Sequence, residues 1–291
     1  MQLFPFVLVC ISAVTHGIWN FLAKGAGNKD IFIGLSKVSE AVIFLIPFIF
    51  LLNREGYGDS QWLIFVAIAS CFVFLNYFFL SQAYKHADLS VAYPISRSSI
   101  LFLPFLAFFF IGERIDAIGF TSIILILMGV LCLQLQEFSR HELGQMAKKL
   151  ARPGIVFALL AALMAASYTL WDKVAVSRIH PFLYFYSYTF ITALFYLVFF
   201  GAKFKRTEIK AEWKQKRWQI VAVALLNTFT YLIVLTALAI SKASYVGALR
   251  QLSLVIGVVL GWRYLNEERS VPQMVGVGLL IIGSGLIAFA R

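Results

Sequence analysis

Two arginines, Arg97 and Arg250, stand inside otherwise apolar stretches of this sequence, and they are the first candidates for chemistry. A charge deep in apolar surroundings is costly unless it faces a cavity or a partner. A guanidinium can grip a carboxylate, phosphate or sulfonate through two parallel hydrogen bonds. Arg97 lies about eight residues into its stretch, roughly 12 Å at 1.5 Å per residue. Arg250 lies about six residues in, roughly 9 Å. The plain alternative is pairing with a fixed acid or snorkelling to a polar boundary. Glu40 sits near the middle of another apolar stretch with Lys37 three residues earlier on the same helical face, which allows either a local ion pair or a proton-coupling carboxylate.

Further polar residues fall at helical spacing. In HGIWNFLAK, His16, Asn20 and Lys24 follow one another at intervals of four, with Trp19 flanking them. Such a stripe shares one helix face and is unsuited to lipid. The stretch SYTLWDK supplies Tyr168, Trp171, Asp172 and Lys173, where an interfacial Asp172/Lys173 pair is the simplest expectation. Tyr93 and Tyr245 open two apolar stretches, and Asn76, Asn227 and Gln251 are uncharged donors suited either to a ligand or to an interhelical hydrogen bond. The three cysteines, Cys10, Cys71 and Cys132, have no metal-ligand or disulfide spacing. No metal or cofactor is expected, and neither is a covalent catalytic step, because no nucleophile and base or paired catalytic carboxylates come together.

The elements that must position these residues are set by composition. Of 291 residues, 61% are hydrophobic and 13% charged, with 29 Phe, a balance that excludes an ordinary soluble domain. Ten apolar runs are expected to cross a bilayer, at 3–23, 31–52, 62–83, 89–111, 117–135, 154–171, 181–200, 217–238, 244–262 and 272–290. Runs such as TSIILILMGVLCL lack the alternation of a membrane β-barrel, so the spans are helices. The fold class is therefore an all-α polytopic membrane protein. The net charge of +11 sits mostly in loops beside apolar segments, which argues for a membrane surface rather than nucleic acid. Loops after odd-numbered spans carry about 16 Lys and Arg, against about 6 after even-numbered spans and at the C-terminus. The positive-inside rule then places the central connector in the cytoplasm and both termini outside.

The chain repeats itself. Trp19 and Trp171 are 152 apart, while Glu113 and Glu267, and Gly129 and Gly283, are each 154 apart. Residues 1–135 and 154–291 are read as two five-helix repeats joined by a connector at 136–153 that could carry a short amphipathic helix. Five is odd, so the repeats are expected to be inverted in the bilayer, an arrangement suited to alternating access around a midplane site. Pro47, Pro94 and Pro104 are expected to bend their helices, and the glycines of the last span, Gly276, Gly278, Gly283 and Gly285, to permit close packing.

The stretches AYKHADLSVAYPISRSSILFLPFLAFFFIGERI at 83–115 and ALAISKASYVGALRQLSLVIGVVLGWRYLNEERS at 237–270 resemble the drug/metabolite transporter superfamily, specifically proteins with two EamA domains. The marks are the small-residue turn after the third helix of each half, the fourth helix and the Gly-Glu-Arg connector. The second half departs from them with Asn266 before Glu267 and an extra Glu268. The resemblance implies a secondary transporter of small metabolites, often an exporter, whose third, fourth, eighth and ninth helices surround a central cavity. The leading expectation is a carrier for a small anionic or zwitterionic metabolite in a bacterial inner membrane, with a coupled proton as a further partner and a monomer sufficient. A proton-coupled exporter of cationic drugs or amines is the second reading, and a channel the third.

Overall fold

The computed structural model describes residues 1–24, 26–57, 60–86, 95–139, 153–264 and 269–290. Twelve helices form among them: α1 (Leu3–Lys24), α2 (Lys29–Ile43), α3 (Leu45–Glu55), α4 (Trp62–His86), α5 (Ser99–Ile111), α6 (Ala117–Cys132), α7 (Pro153–Val176), α8 (Pro181–Lys203), α9 (Arg206–Ile240), α10 (Ala243–Leu249), α11 (Leu252–Tyr264) and α12 (Val271–Ile287). Six segments are long and apolar enough to cross a membrane: α1, α4, α7, α8, α9 and the α10–α11 pair. The bent pair α2–α3 makes a seventh, and α5, α6 and α12 are shorter apolar helices. Together they fall on the ten expected spans. Tyr93, Pro94 and Glu267, with most of the connector and its expected amphipathic helix, lie outside the described residues.

Besides the turns in the fourth and ninth spans described below, three spans differ from a plain reading of hydropathy. The second breaks at Phe44 with a 47° bend, one turn before Pro47, whose ring clashes with the carbonyl four residues earlier. The Tyr186 hydroxyl donates to the Ala41 carbonyl at 2.8 Å beside this break. Pro104, by contrast, lies inside continuous α5. The eighth span begins earlier than expected, because the basic stretch read as a loop is helical from Arg206, making α9 35 residues long. The Glu208 carboxylate accepts the Lys205 N–H at 2.8 Å and caps this start. The sixth span runs on to Val176 rather than ending at Trp171.

Packing follows the repeat. When each span is exchanged for the one five places on, α1 against α9 becomes α7 against α4, α1 against α11 becomes α7 against α5, and α2 against α9 becomes α8 against α4. The pairs α2 with α8, α5 with α10 and α6 with α12 map onto themselves, and all of these seams are present. Each of them joins one half of the chain to the other. At α6 with α12 the backbones themselves come close: a Cβ on Gly129 would stand 2.9 Å from the Gly276 carbonyl oxygen, and one on Gly276 2.8 Å from that of Gly129.

Two carboxylates clamp the halves together at their ends. Gly112 closes α5 in the left-handed conformation (φ 67°), which favours glycine, and the reversal delivers Glu113 to the start of α10. There Glu113 accepts the N–H groups of Ala243 and Ser244 at 2.8 and 3.0 Å and the Ser244 hydroxyl at 2.5 Å. Glu212, on α9, accepts the N–H groups of Gly27 and Asn28 at 3.1 and 3.2 Å, just before α2. Each anion satisfies orphan donors at a helix start, where the helix dipole also favours it.

Candidate functional site

The fourth and ninth spans are both interrupted at their arginines. In the fourth, Arg97 and Ser98 form a turn before α5, with the Ser98 N–H bonded to the Ile95 carbonyl and that of Leu101 to Ser98. In the ninth, Arg250 and Gln251 form the turn between α10 and α11, where Gln251, Ser253 and Leu254 each bond three residues back. These bonds tighten the helix locally, as in a 3₁₀ turn. The break at Arg250 forms without a proline. Discontinuous helices of this kind supply binding sites in carriers built from repeats.

Around the breaks the site is made by α1, α7 and α9. The charges of both Arg250 and Arg97 act on His16, which puts the two arginines in the neighbourhood of this part of α1. Gly17 permits this: a Cβ there would meet the Ile256 side chain at 2.6 Å, because α1 rests directly on α11. Arg250 faces Tyr168, Tyr231 and Asp172, with its guanidinium carbon 5.5 Å from the Tyr231 ring centre, inside the range of a cation–π contact. His16 and Tyr168 are 152 apart, the offset of the repeated tryptophans, and both interact with Arg250. Arg97 is itself engaged in an interaction within the fold.

Asp172 corrects the sequence expectation. It is 2% exposed, and its two oxygens accept the hydroxyls of Tyr184 at 2.7 Å and Tyr231 at 2.5 Å. Its neighbour Lys173 points elsewhere, donating to the Leu238 and Ser241 carbonyls at 2.8 and 2.7 Å at the end of α9. Adjacent helical residues diverge by about 100°, so one faces the core while the other reaches the neighbouring helix end. The expected Asp172/Lys173 pair is therefore replaced by two separate contacts.

One turn away on α9 is a second polar group. Lys37 donates to both oxygens of Glu40, at 3.2 and 3.0 Å, and Asn227 donates to Oε1 at 2.9 Å. The local ion pair expected from the spacing is present, with Glu40 almost fully buried and Lys37 partly exposed. Removing one partner of such a pair costs more than removing both, because it leaves a buried charge alone. Lys37→Met is expected to destabilise the protein by about 3 kcal/mol, the low end of that range, and Lys37→Met/Glu40→Gln to recover most of the loss. Chemical denaturation of the purified variants in detergent tests this, and additive losses in the double variant would dissolve the pair.

Other candidates are committed to packing. Asn76 donates to the Ala161 carbonyl at 2.7 Å across the α4–α7 seam, and Asn20 to the His16 carbonyl of its own helix at 2.9 Å. The Trp171 indole donates to the Phe65 carbonyl at 2.9 Å and lies against the Phe65 ring. Trp19 packs with Phe32, Ile220 and Val223, 4.9 Å from His16 between ring centres, with its indole N–H buried and unpartnered. Gln251 is buried at the α10–α11 break. Tyr245 anchors the start of α10 through Asp116 at 3.0 Å. Sequence reasoning missed Tyr184 and Tyr231 as partners of Asp172, although Tyr231 lies one turn after Asn227 on the same face of α9. Two clefts open elsewhere. One of about 440 Å³ is lined by Glu113, Lys173 and Lys242, and one of about 320 Å³ by Phe48, Tyr57, Trp62 and Tyr186; neither is lined by Arg97 or Arg250.

Two repeats of apolar helices, interlocked through their seams and with broken spans, define an integral membrane protein. A profile of the EamA-like transporter family matches residues 3–135 and again 152–289, and the chain belongs to that family. It is 22% identical over 293 residues to an uncharacterized transporter, YxxF, of Bacillus subtilis (strain 168), across 98% of this chain and 89% of that one. A crystal structure with 15% sequence identity superposes with a TM-score of 0.72 over 98% of this chain and 95% of its own, and so has the same fold. The protein is a membrane transporter and not an enzyme.

Proposed function

We propose that this transporter moves a small anionic or zwitterionic metabolite, such as an amino acid, carboxylate, phosphonate or sulfonate, by alternating access, and that it works as an exporter in a bacterial cytoplasmic membrane. The observation that carries the reading is the pair of repeat-related arginines, each at a break in its span and both acting electrostatically on His16. Guanidiniums held at helix discontinuities meet an anionic group with fixed donors. The ligand bridges the two halves, and rocking of one half against the other exposes it to one side at a time. Direction follows the gradient of the substrate or of a coupled proton.

A cationic substrate would need an acidic partner in the same region. Both buried carboxylates there already have donors, Glu40 from Lys37 and Asn227 and Asp172 from Tyr184 and Tyr231. The test is thermal stabilisation of the purified protein by small amino acids, sulfonates, phosphonates, carboxylates and cationic drugs. A ligand at one hundred times its Kd stabilises the folded state by about 2.7 kcal/mol. Stabilisation by the anionic or zwitterionic series, lost on Arg250→Ala, supports the proposal. Selective stabilisation by cations that survives loss of both arginines rejects it.

A further inference from the structure

The Asp172 carboxylate is almost fully buried and is held by two phenols from two different helices. Tyr184, on α8, has no exposed surface and fixes one oxygen. Tyr231, on α9, takes the other oxygen and presents its ring to the Arg250 guanidinium. Tyr188 packs edge-on against both of these rings, at 5.3 and 6.2 Å between centres, so the Tyr231 ring has little freedom to turn. Lys173 does not neutralise Asp172, because its ammonium is engaged by carbonyls at the end of α9. The negative charge instead acts on Arg250.

We infer that Asp172 is a positioning residue of the substrate site, holding Arg250 over Tyr231 and offsetting part of its charge, so that the site prefers a singly charged anionic group to a doubly charged one. The inference rests on the reading of Arg97 and Arg250 as ligand contacts. Asp172 thereby has two separable effects. The hydrogen bond to Tyr231 sets where the guanidinium stands, and the carboxylate charge sets how much positive field the ligand meets. A purely structural carboxylate would produce neither effect selectively.

Positioning and charge respond to different substitutions. Asp172→Asn keeps a carbonyl acceptor and removes the charge, whereas Tyr231→Phe keeps the ring and the charge and removes the tether. Binding is measured by thermal shift of the full-length purified protein with butyrate, succinate and 4-aminobutyrate as probes. Asp172→Asn is expected to raise the affinity for succinate relative to butyrate by about tenfold, the scale of removing one partly screened charge near the ligand. Tyr231→Phe is expected to weaken all three probes about fivefold, the scale of one lost hydrogen bond, without moving that ratio. An unchanged ratio in Asp172→Asn overturns the charge effect, and unchanged affinities in Tyr231→Phe overturn the positioning effect. If Asp172→Asn does not fold, Asp172→Glu decides the matter of charge, since it must keep the butyrate preference and a swing toward succinate overturns the effect. Anion binding that survives Arg97→Ala and Arg250→Ala sinks the functional reading itself. Loss of binding in those variants with no selectivity change at Asp172 sinks this inference alone.

Discussion

Replacing Arg97 with alanine is expected to weaken binding of an anionic ligand by about 10- to 100-fold, since a hydrogen bond to a charged group contributes roughly 1.5–3 kcal/mol. Protein abundance and the ligand-free melting temperature are measured alongside, because Arg97 also makes an interaction within the fold, and binding is compared only between variants that remain folded. Arg97→Lys separates charge from geometry. Lysine supplies a point charge but no planar fork, so it should restore only part of the affinity if the guanidinium binds through two hydrogen bonds. Uptake or counterflow in proteoliposomes at limiting substrate gives the decisive readout. Near-normal rates in Arg97→Ala would remove this residue from the site, and full rescue by lysine would remove the need for two-point recognition.

The second large effect concerns stability. Gly129→Ala and Gly276→Ala should each destabilise the protein by about 1–3 kcal/mol, the usual range for overpacking, because the added methyl meets backbone atoms, which cannot turn away, as well as a side chain. Gly283→Ala belongs with them, since its Cβ would stand 2.9 Å from the Ser122 carbonyl oxygen. Gly278→Ala and Gly285→Ala, on the same helix, should be neutral or slightly stabilising, because nothing lies within 4 Å of either position and alanine is the better helix former. Melting curves of the five variants check the pattern. Equal losses at all five positions would mean that α12 does not pack on α6 as described.

Much of the fold was legible in the sequence because lipid imposes a simple rule on the backbone: each apolar run must close its own hydrogen bonds. The ten runs, their helical nature and the repeat followed from that rule and from the spacing of Trp19 and Trp171, Gly129 and Gly283. Hydropathy could not locate the break at Phe44 or those at Arg97 and Arg250, since tightening a turn leaves composition unchanged. It also set the start of α9 too late, because Lys and Arg look like loop residues although they are good helix formers. Within the site, Lys37 with Glu40 was readable because i,i+3 pairs are local. Asp172 was not, since its partners lie 12 and 59 residues away and the nearer, more obvious cation belongs to a different helix end. Glycine roles were readable only as a group: the sequence could not separate Gly276, which touches α6, from Gly278, which faces away.

The interlocking of the two halves also bears on how the chain is made. As the first five spans enter the bilayer, the surfaces of α1, α4, α5 and α6 that will receive α11, α7, α10 and α12 lack those partners. Glu113 has no α10 to cap, and Gly27 and Asn28 have no Glu212 to bond. Most of the packing in the finished molecule therefore joins residues of opposite halves, and it forms only after the second half has been inserted. Synthesis is sequential, so the contacts that hold the finished molecule together become available only late, once both halves are in the bilayer.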